Sequence, residues 1–300
     1  VARIHAEMEQ IKQTVGFDGT LQEFFEFMRT DDQFFLPSTD EGREEYLRQA
    51  REHIARVEAK LPEYFGLLPK AGVEVRRVEA FREEPGGAAH YMTGSLDGSR
   101  PGVFYAHLID MSAVSTFRLE NLAYHEALPG HHMQRSIAQE MEGLPDFRGQ
   151  YSYTAYTEGW GLYAEYLGKD MGGYEDPYSD FGRLSGEIWR AVRLVVDTGL
   201  HAKGWSEQQG VEYALANSPR PESSVRSEMR RYLVNPAQAT TYKIGMNHIL
   251  DLRAQAQAEL GDDFTYAGFH DVVLGGGAVP LPILTERVEG WIAEVKAAQP

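Results

Sequence analysis

The 300-residue sequence contains no cysteine. This absence excludes disulfide bonds, thiol catalysis and thiolate metal ligands, so any metal site must use histidine and carboxylate side chains. Positive charge is also scarce, because 29 Lys and Arg residues face 45 Asp and Glu residues, for a formal net charge of −16. That balance argues against nucleic acid and against an anionic membrane surface as partners.

Long apolar runs are missing as well. No stretch approaches the 18 or so consecutive apolar residues of a membrane-spanning helix, so we expect no membrane span. The content of 42% hydrophobic and 25% charged residues is typical of a soluble globular protein. No signal peptide is recognisable at the start of the chain, and the sequence leaves both a cytoplasmic and an exported location open.

The clearest chemical pattern lies in residues 124–134, where His125 and Glu126 are followed by His131 and His132. This is a lengthened form of the H-E-x-x-H motif of zinc peptidases. In that motif two histidines four residues apart bind zinc on one helix face, and the glutamate is the general base. The pattern therefore predicts a Zn²⁺ site with His125 as a ligand and Glu126 as the base.

The identity of the second histidine ligand depends on the helix between the two histidine positions. On a regular helix His131 would point roughly 120° away from His125, and His132 would lie about 10 Å further along the axis. Pro129 disrupts the preceding helical turn and Gly130 adds conformational freedom. A bulge over residues 127–130 predicts His131 as the ligand, with His132 as the alternative.

A third ligand is sought downstream, because catalytic zinc sites usually have three protein ligands. Glu158 and Glu165 lie seven residues apart and share one face of a predicted helix. Glu158 is surrounded by Tyr, Gly and Trp residues, where an unpaired carboxylate would be costly unless a metal ion compensates it. We interpret Glu158 as the third ligand and Glu165 as a solvated charge.

Two segments carry a family resemblance: Tyr-His-Glu-Ala-Leu-Pro-Gly-His-His-Met-Gln at 124–134 and Glu-Gly-Trp-Gly-Leu-Tyr-Ala-Glu at 158–165. They resemble the bacterial family labelled domain of unknown function 885, and further similar segments lie at 193–201, 232–242, 269–271 and 277–282. That family in turn resembles gluzincin zinc peptidases such as angiotensin-converting enzyme, thimet oligopeptidase and carboxypeptidase Taq.

The resemblance implies His125, His131 and Glu158 as zinc ligands and Glu126 as the base. Members of the bacterial family are about twice as long as this chain. The resemblance therefore implies that the chain is the C-terminal half of a longer protein. An N-terminal half would then be a partner that forms the other wall of the cleft.

The predicted fold is mainly α-helical, a zinc-peptidase-like architecture with a small antiparallel sheet before the metal-binding helix. We expect one catalytic region over residues 1–300, with a helical segment at 1–70, the sheet at 71–110 and the helical metal-site region at 111–300. Strands are predicted near 73–78, 89–93 and 103–108, with turns at 85–87 and 97–102. Residues 103–105 are the candidate edge strand, and Tyr105 is a candidate contact for an extended peptide substrate.

Helices are predicted from the spacing of apolar residues and from capping residues. Their expected ranges are 1–13, 20–30, 39–60, 115–142 with a distortion at Pro129, 151–168, 180–202, 206–216, 222–234, 236–260 and 280–298.

Side chains that could stabilise a transition state or bind substrate lie in the second half of the chain. Tyr242 is the favoured oxyanion donor, with Tyr232 and His201 as alternatives. The cationic residues Arg193, Arg231 and Lys243 could bind the C-terminal carboxylate of a peptide. Arg193 could equally pair with Asp197, one helical turn further on.

These observations favour a zinc-dependent metallopeptidase that hydrolyses peptide bonds. Two alternatives remain open: a zinc-dependent amidohydrolase of a small acylated amine, and a non-catalytic protein that binds metal or peptide. Glu126 discriminates in part, because a binding protein does not require a general base beside its ligand.

Overall fold

The computed structural model describes residues 1–84, 89–96, 99–145, 148 and 152–298. The predicted turns at 85–87 and 97–98 lie outside these residues. The protein is mainly helical with a small sheet, which confirms the prediction of a mainly α-helical fold with a small sheet. The α-helices are α1 (Ala2–Thr14), α2 (Leu21–Thr30), α3 (Asp40–Glu58), α4 (Leu61–Tyr64), α5 (Leu119–Glu126), α6 (His131–Glu140), α7 (Thr154–Asp170), α8 (Pro177–Ala202), α9 (Glu207–Asn217), α10 (Glu222–Val234), α11 (Thr241–Leu260), α12 (Tyr266–Leu274) and α13 (Leu281–Ala297).

Capping side chains explain several of the helix starts. The Thr20 side chain accepts a hydrogen bond from the backbone N–H of Glu23, whose carboxylate accepts from the Thr20 backbone in return. Thr39 caps α3 in the same way by accepting from the Gly42 backbone. Such bonds satisfy backbone donors that the first helical turn leaves unpaired, so the sequence placed these starts within a residue or two.

The structure differs from the helix predictions in two respects. The single helix expected over 115–142 is two helices, α5 and α6, separated by residues 127–130. The short helices α4 and α12 were not predicted.

The sheet consists of β1 (Val73–Arg77), β2 (His90–Met92) and β3 (Gly102–Ala106), in the order β1-β3-β2. Strand β2 is antiparallel to β3, but β1 is parallel to β3, so the predicted antiparallel sheet is in fact mixed. The prediction of 103–105 as an edge was wrong too. All five residues of β3 are buried, as expected for the central strand of a small sheet.

The buried apolar residues form two large clusters. The first cluster surrounds the sheet and packs α3, α5, α6 and α7 against α11, α12 and α13. The second cluster joins α1 and α2 to α8, α9 and α10. Helices α5, α6 and α7 meet within the first cluster, and they carry the motif residues. No helix in the described part of the chain is long and apolar enough to cross a membrane.

Candidate metal centre

A sharp turn at residues 127–130 brings the two motif histidines together. Helix α5 ends at Glu126, directly after His125, and α6 begins at His131. Gly130 lies so close to the end of α5 that a Cβ atom there would be 2.0 Å from the His125 carbonyl oxygen. The Trp160 indole fixes the turn by donating to the Pro129 carbonyl at 2.9 Å. The turn therefore brings His131 close to His125, which the regular helical spacing would not do. A distortion at Pro129 was predicted, but the helix is interrupted completely instead of bulged.

His125, His131 and Glu158 form a compact group of potential metal ligands. One ligand atom from each lies within 4.8 Å of the others. Oε2 of Glu158, on α7, is 3.6 Å from Nε2 of His125 and 3.5 Å from Nε2 of His131. Two ligand atoms bonded to a tetrahedral zinc ion at about 2.0–2.1 Å are roughly 3.3 Å apart. The two separations from Glu158 are therefore close to those expected around a shared ion.

The orientation of the His125 ring is fixed from behind by Glu165. Nδ1 of His125 lies 2.7 Å from Oε1 of Glu165, which leaves Nε2 directed toward Glu158. A carboxylate in this position holds the ring and selects the tautomer whose Nε2 lone pair is available to a metal. Gly161 provides space for this ring, because a Cβ at residue 161 would be 2.6 Å from the imidazole.

The interpretation of Glu165 as a solvated charge was wrong. Its side chain is only 1% exposed, and it accepts a hydrogen bond from Asn121 at 3.1 Å in addition to its contact with His125. Burial raises its pKa, but the charge of Arg190 and the bond to His125 outweigh burial, and the net shift is downward. Seven-residue spacing placed Glu165 on the face of Glu158, and that signal could have identified it as a partner of the site.

His131 and His132 lie in different environments. Nδ1 of His131 has no hydrogen-bond partner among the described residues, and Nε2 faces Glu158. The ring of His132 is instead occupied on both sides: Nδ1 is 3.0 Å from the Tyr91 hydroxyl, and Nε2 is 3.0 Å from the Ala71 carbonyl oxygen. The structure thus brings His131 to the triad and places His132 among protein partners.

Glu126 lies beside the triad, at the end of α5. Its side chain is buried, and burial raises its pKa. The positive charges of the nearby His125 and His131 lower the pKa of Glu126 and so partly offset burial. Glu126 is therefore a poorly solvated carboxylate whose charge interacts with both histidines of the triad.

The triad attracts positive charge. Burial opposes protonation of His125, but Glu158 and Glu165 outweigh it and raise the pKa of His125 to about 10. Burial likewise disfavours the charged form of Glu158, yet the two histidines lower its pKa well below the usual range. A site that stabilises a proton in this way also stabilises a metal cation, with which the proton competes. The residues present therefore fit Zn²⁺.

The predicted substrate contacts have partners within the protein. Nζ of Lys243 is 2.6 Å from Glu187, and Arg231 donates to Glu228 at 2.9 Å. The Tyr105 side chain is buried in the central strand, where its ring stacks on His90 with centroids 5.4 Å apart. Their assignment to substrate stays a prediction, because none of these contacts involves the triad.

Arg193 does not pair with Asp197, contrary to one of the two interpretations of its role. It donates to the Tyr232 hydroxyl at 3.0 Å and to Glu228 at 2.8 Å. Asp197 instead accepts a bond from the Ala237 backbone at 3.1 Å. Arg193 pairs with Glu228 on a different helix because α10 packs against α8.

The candidate oxyanion donors differ in their surroundings. Nε2 of His201 lies 3.0 Å from the Tyr232 carbonyl, and the Tyr232 hydroxyl donates to Glu228, so both side chains have structural partners. The Tyr242 ring is contacted by the guanidinium groups of Arg190 and Arg193. Arg190 in turn lies 3.6 Å from Glu165, so Tyr242 is connected to the triad through two side chains.

Comparison with known proteins identifies the family but no activity. The family described as "Bacterial protein of unknown function (DUF885)" matches residues 1–288. This match covers nearly the whole chain and does not single out a C-terminal half. No curated protein matches the sequence.

Several solved structures are similar to this chain. One, from Colwellia psychrerythraea and provisionally described as a lipoprotein, is 42% identical, with a TM-score of 0.92 over 98% of this chain and 50% of that chain. Another, a protein of unknown function from Shewanella oneidensis that is also provisionally described as a lipoprotein, is 20% identical. Its TM-score is 0.78 over 95% of this chain and 54% of its own length, and this likeness shows the fold alone.

The chain thus spans about half the length of both solved structures. The extent of the family match, together with the 42% identical structure, shows that the chain belongs to the DUF885 family of bacterial proteins.

Proposed function

We propose that this protein is a zinc-dependent hydrolase of amide bonds and that its substrates are peptides. The observation that carries the proposal is the geometry at Glu158, whose Oε2 lies 3.5–3.6 Å from Nε2 of both His131 and His125. Two imidazoles and one carboxylate are a known ligand set of catalytic zinc, which keeps a further position for water or substrate.

The residues of the chain have separate roles in this proposal. A bound zinc ion would lower the pKa of a coordinated water and polarise the carbonyl group that is attacked. Glu126 accepts the proton of the attacking water and returns it to the leaving amine. Glu165 keeps the His125 ring oriented throughout, because its hydrogen bond to Nδ1 does not depend on substrate.

Amide hydrolysis is favoured over metal storage by the position of Glu126. A storage site has no need for a further buried carboxylate, Glu126, beside its three ligands. We assign stabilisation of the developing oxyanion to Tyr242, whose ring is contacted by Arg190, a neighbour of Glu165. His201 is the alternative donor.

The proposal is tested by metal analysis together with hydrolysis of a peptide library. We expect about one zinc per chain and cleavage that stops when zinc is removed by a chelator and returns when zinc is added. Cleavage of acylated small amines without cleavage of peptides would assign the site to the amidohydrolase alternative. Stoichiometric zinc with no hydrolysis of either class would support a binding protein. Because the solved relatives are about twice as long, the assay should use the full-length natural protein.

The provisional description of the similar Colwellia protein as a lipoprotein also suggests a location. We propose that the present protein is exported from the cytoplasm. Fractionation of source cells tests this, and recovery of the full-length protein only in the cytoplasmic fraction would contradict it.

A further inference from the structure

A group of buried and partly buried arginines lies behind the candidate metal centre. The guanidinium carbons of Arg190 and Arg193, on α8, are 5.7 and 4.9 Å from the centre of the Tyr242 ring. The neighbouring Trp189 ring is contacted by Arg193 at 5.7 Å and by Arg220 at 5.1 Å. The two aromatic rings therefore hold three guanidinium groups close together through cation–π contacts.

Arg118 completes this group, which we call the arginine cluster (Arg118, Arg190, Arg193 and Arg220). Burial and the charge of Arg190 lower the pKa of Arg118, and burial and the charge of Arg118 lower the pKa of Arg220. A guanidinium nevertheless stays protonated in proteins. The shifts therefore express the unfavourable free energy of holding these like charges together in a poorly solvated place.

The described part of the chain supplies too few carboxylates to balance the positive charge of the cluster. Arg193 pairs with Glu228, which it shares with Arg231. Arg190 lies 3.6 Å from Glu165, which already accepts hydrogen bonds from His125 and Asn121.

Arg118 and Arg220 form no ion pair among the described residues, although both are only partly exposed. Four cations thus depend on two carboxylates that have other partners.

Several hydrogen-bond donors of the cluster lack an acceptor. The Nε atoms of Arg118, Arg190 and Arg220 and the indole Nε1 of Trp189 are buried and have no partner in the described part of the chain. Trp189 is fully buried and Arg190 is 8% exposed. Buried donors are almost always satisfied in folded proteins, so a concentration of unsatisfied ones requires an explanation. An anionic acceptor would satisfy donors and charge together.

We propose that the arginine cluster binds a carboxylate group of the substrate. Planar guanidinium groups recognise carboxylates through two parallel hydrogen bonds, and stacking on Trp189 and Tyr242 holds them in a fixed plane. The cluster is connected to the triad by the chain Arg190–Glu165–His125. The link to a substrate rests on the proposed function, whereas the anion site itself does not.

The anion site is tested first in the metal-free full chain, by thermal unfolding at constant ionic strength. The probes are N-acetylglycine, its uncharged counterpart N-acetylglycinamide, and inorganic phosphate. We expect N-acetylglycine to raise the unfolding midpoint in a saturable manner, because a ligand that binds only the folded state stabilises it. The amide should have no effect. No shift with N-acetylglycine, or a larger shift with phosphate, would overturn the carboxylate assignment.

Substitutions locate the binding. Arg220→Met should weaken N-acetylglycine binding about tenfold or more, since charge-assisted hydrogen bonds are lost. It should also leave the midpoint without ligand unchanged or higher, because an unpaired and poorly solvated charge is removed. Arg118→Met should behave alike, and it serves as the second variant if one of the two fails to fold. The exposed Arg230→Met is the matched control and should bind like the wild type.

Equal binding by Arg220→Met, Arg118→Met and Arg230→Met would place the anion elsewhere and contradict the proposal.

The substrate link is tested in the zinc-loaded enzyme, with a peptide ending in a free carboxylate and the same peptide ending in an amide. Arg220→Met should raise KM for the carboxylate peptide about tenfold and leave the amide peptide unaffected, with kcat little changed for both. An equal loss on both peptides would show a structural role and overturn the link. If N-acetylglycine binds but no peptide is cleaved, the anion site stands and the proposed function fails.

Discussion

Two pairs of buried histidines lie in the first apolar cluster: His125 with His131, and His132 with His270. In the second pair both nitrogens of each ring have protein partners, namely Tyr91 and Ala71 for His132 and Tyr163 and Tyr64 for His270. In the first pair, Nδ1 of His125 is hydrogen-bonded to Glu165, and the other ring nitrogens form no hydrogen bond to another described residue at such a short distance.

The difference shows that burial of a histidine does not indicate its role. His131 and His132 are adjacent and are 5% and 1% exposed, yet one faces two other potential ligands and the other is held by neutral protein groups. Metal binding requires a ring nitrogen with a free lone pair directed at other ligands. The partners of each nitrogen, which a sequence does not reveal, therefore decide between ligand and structural histidine.

The largest expected effect separates the adjacent histidines. His131→Ala should lose the stoichiometric zinc, because two ligands are too few to hold it. His132→Ala should keep the zinc but reduce the free energy of unfolding by roughly 1–3 kcal/mol, since it leaves buried partners unpaired. Metal analysis and chemical denaturation of both variants measure the two effects. The reverse order of zinc loss would mean that the turn at 127–130 does not define the site.

A second prediction distinguishes the base from the ligands. Glu126→Gln should retain zinc and lower kcat by roughly 10²–10⁴-fold, because the amide cannot accept the proton of the attacking water. Glu158→Gln should instead lose metal affinity, because a charged ligand oxygen is removed. Activity and zinc content are measured on the same preparations. Full activity in Glu126→Gln would exclude this residue as the base.

A third prediction concerns the carboxylate behind the site. Glu165→Gln should weaken zinc binding about 10- to 100-fold, because the His125 ring loses its charged partner. The exposed Glu63→Gln is the control and should bind zinc like the wild type. Competition with a zinc chelator gives both affinities. Unchanged affinity in Glu165→Gln would show that its contact with His125 serves only folding.

The smallest expected effect concerns His270, which, like His132, is hydrogen-bonded to protein groups through both ring nitrogens. Burial lowers its pKa to about 3, against an ordinary value of about 6.5, so the folded state resists protonation while the unfolded state does not. Its contribution to stability is therefore complete above about pH 6.5 and is lost progressively as the pH falls toward 3. By pH 5 the loss is about 2 kcal/mol.

Denaturation of the wild type and of His270→Gln between pH 5 and 8 measures this contribution. Glutamine can replace the hydrogen bonds but does not titrate in this range, so its stability should fall less on acidification. Parallel curves for the two proteins would contradict the assignment.

Much of the helical fold follows from local signals in the sequence. Thr20, Thr39 and Ser206 cap helices whose starts were predicted closely, because capping depends on residues within one turn. The sheet order could not be predicted. Strand β3 inserts between β1 and β2 through contacts distant in the chain, and apolar periodicity alone carries no information on pairing.

The sequence predicted the three side chains that the structure groups as potential metal ligands, but not the residues that hold them in place. The composition of the segment 124–134, with Pro129 and Gly130 interrupting the helix, favoured His131. The roles of Glu165, Arg190 and Arg193 depend on how α8 packs against α7 and α10, and helix packing brings together residues that no motif connects. Glu165 was consequently interpreted as a surface charge, and one of the two interpretations of Arg193 paired it with Asp197 instead of Glu228.

The central claim is that one ion is bound jointly by His125, His131 and Glu158. The most direct test is X-ray diffraction from zinc-loaded crystals at energies on either side of the zinc absorption edge. We predict a single anomalous peak about 2.0–2.2 Å from Nε2 of both histidines and from a Glu158 oxygen. A peak at His132, or no peak within this triad at full zinc loading, would contradict the account.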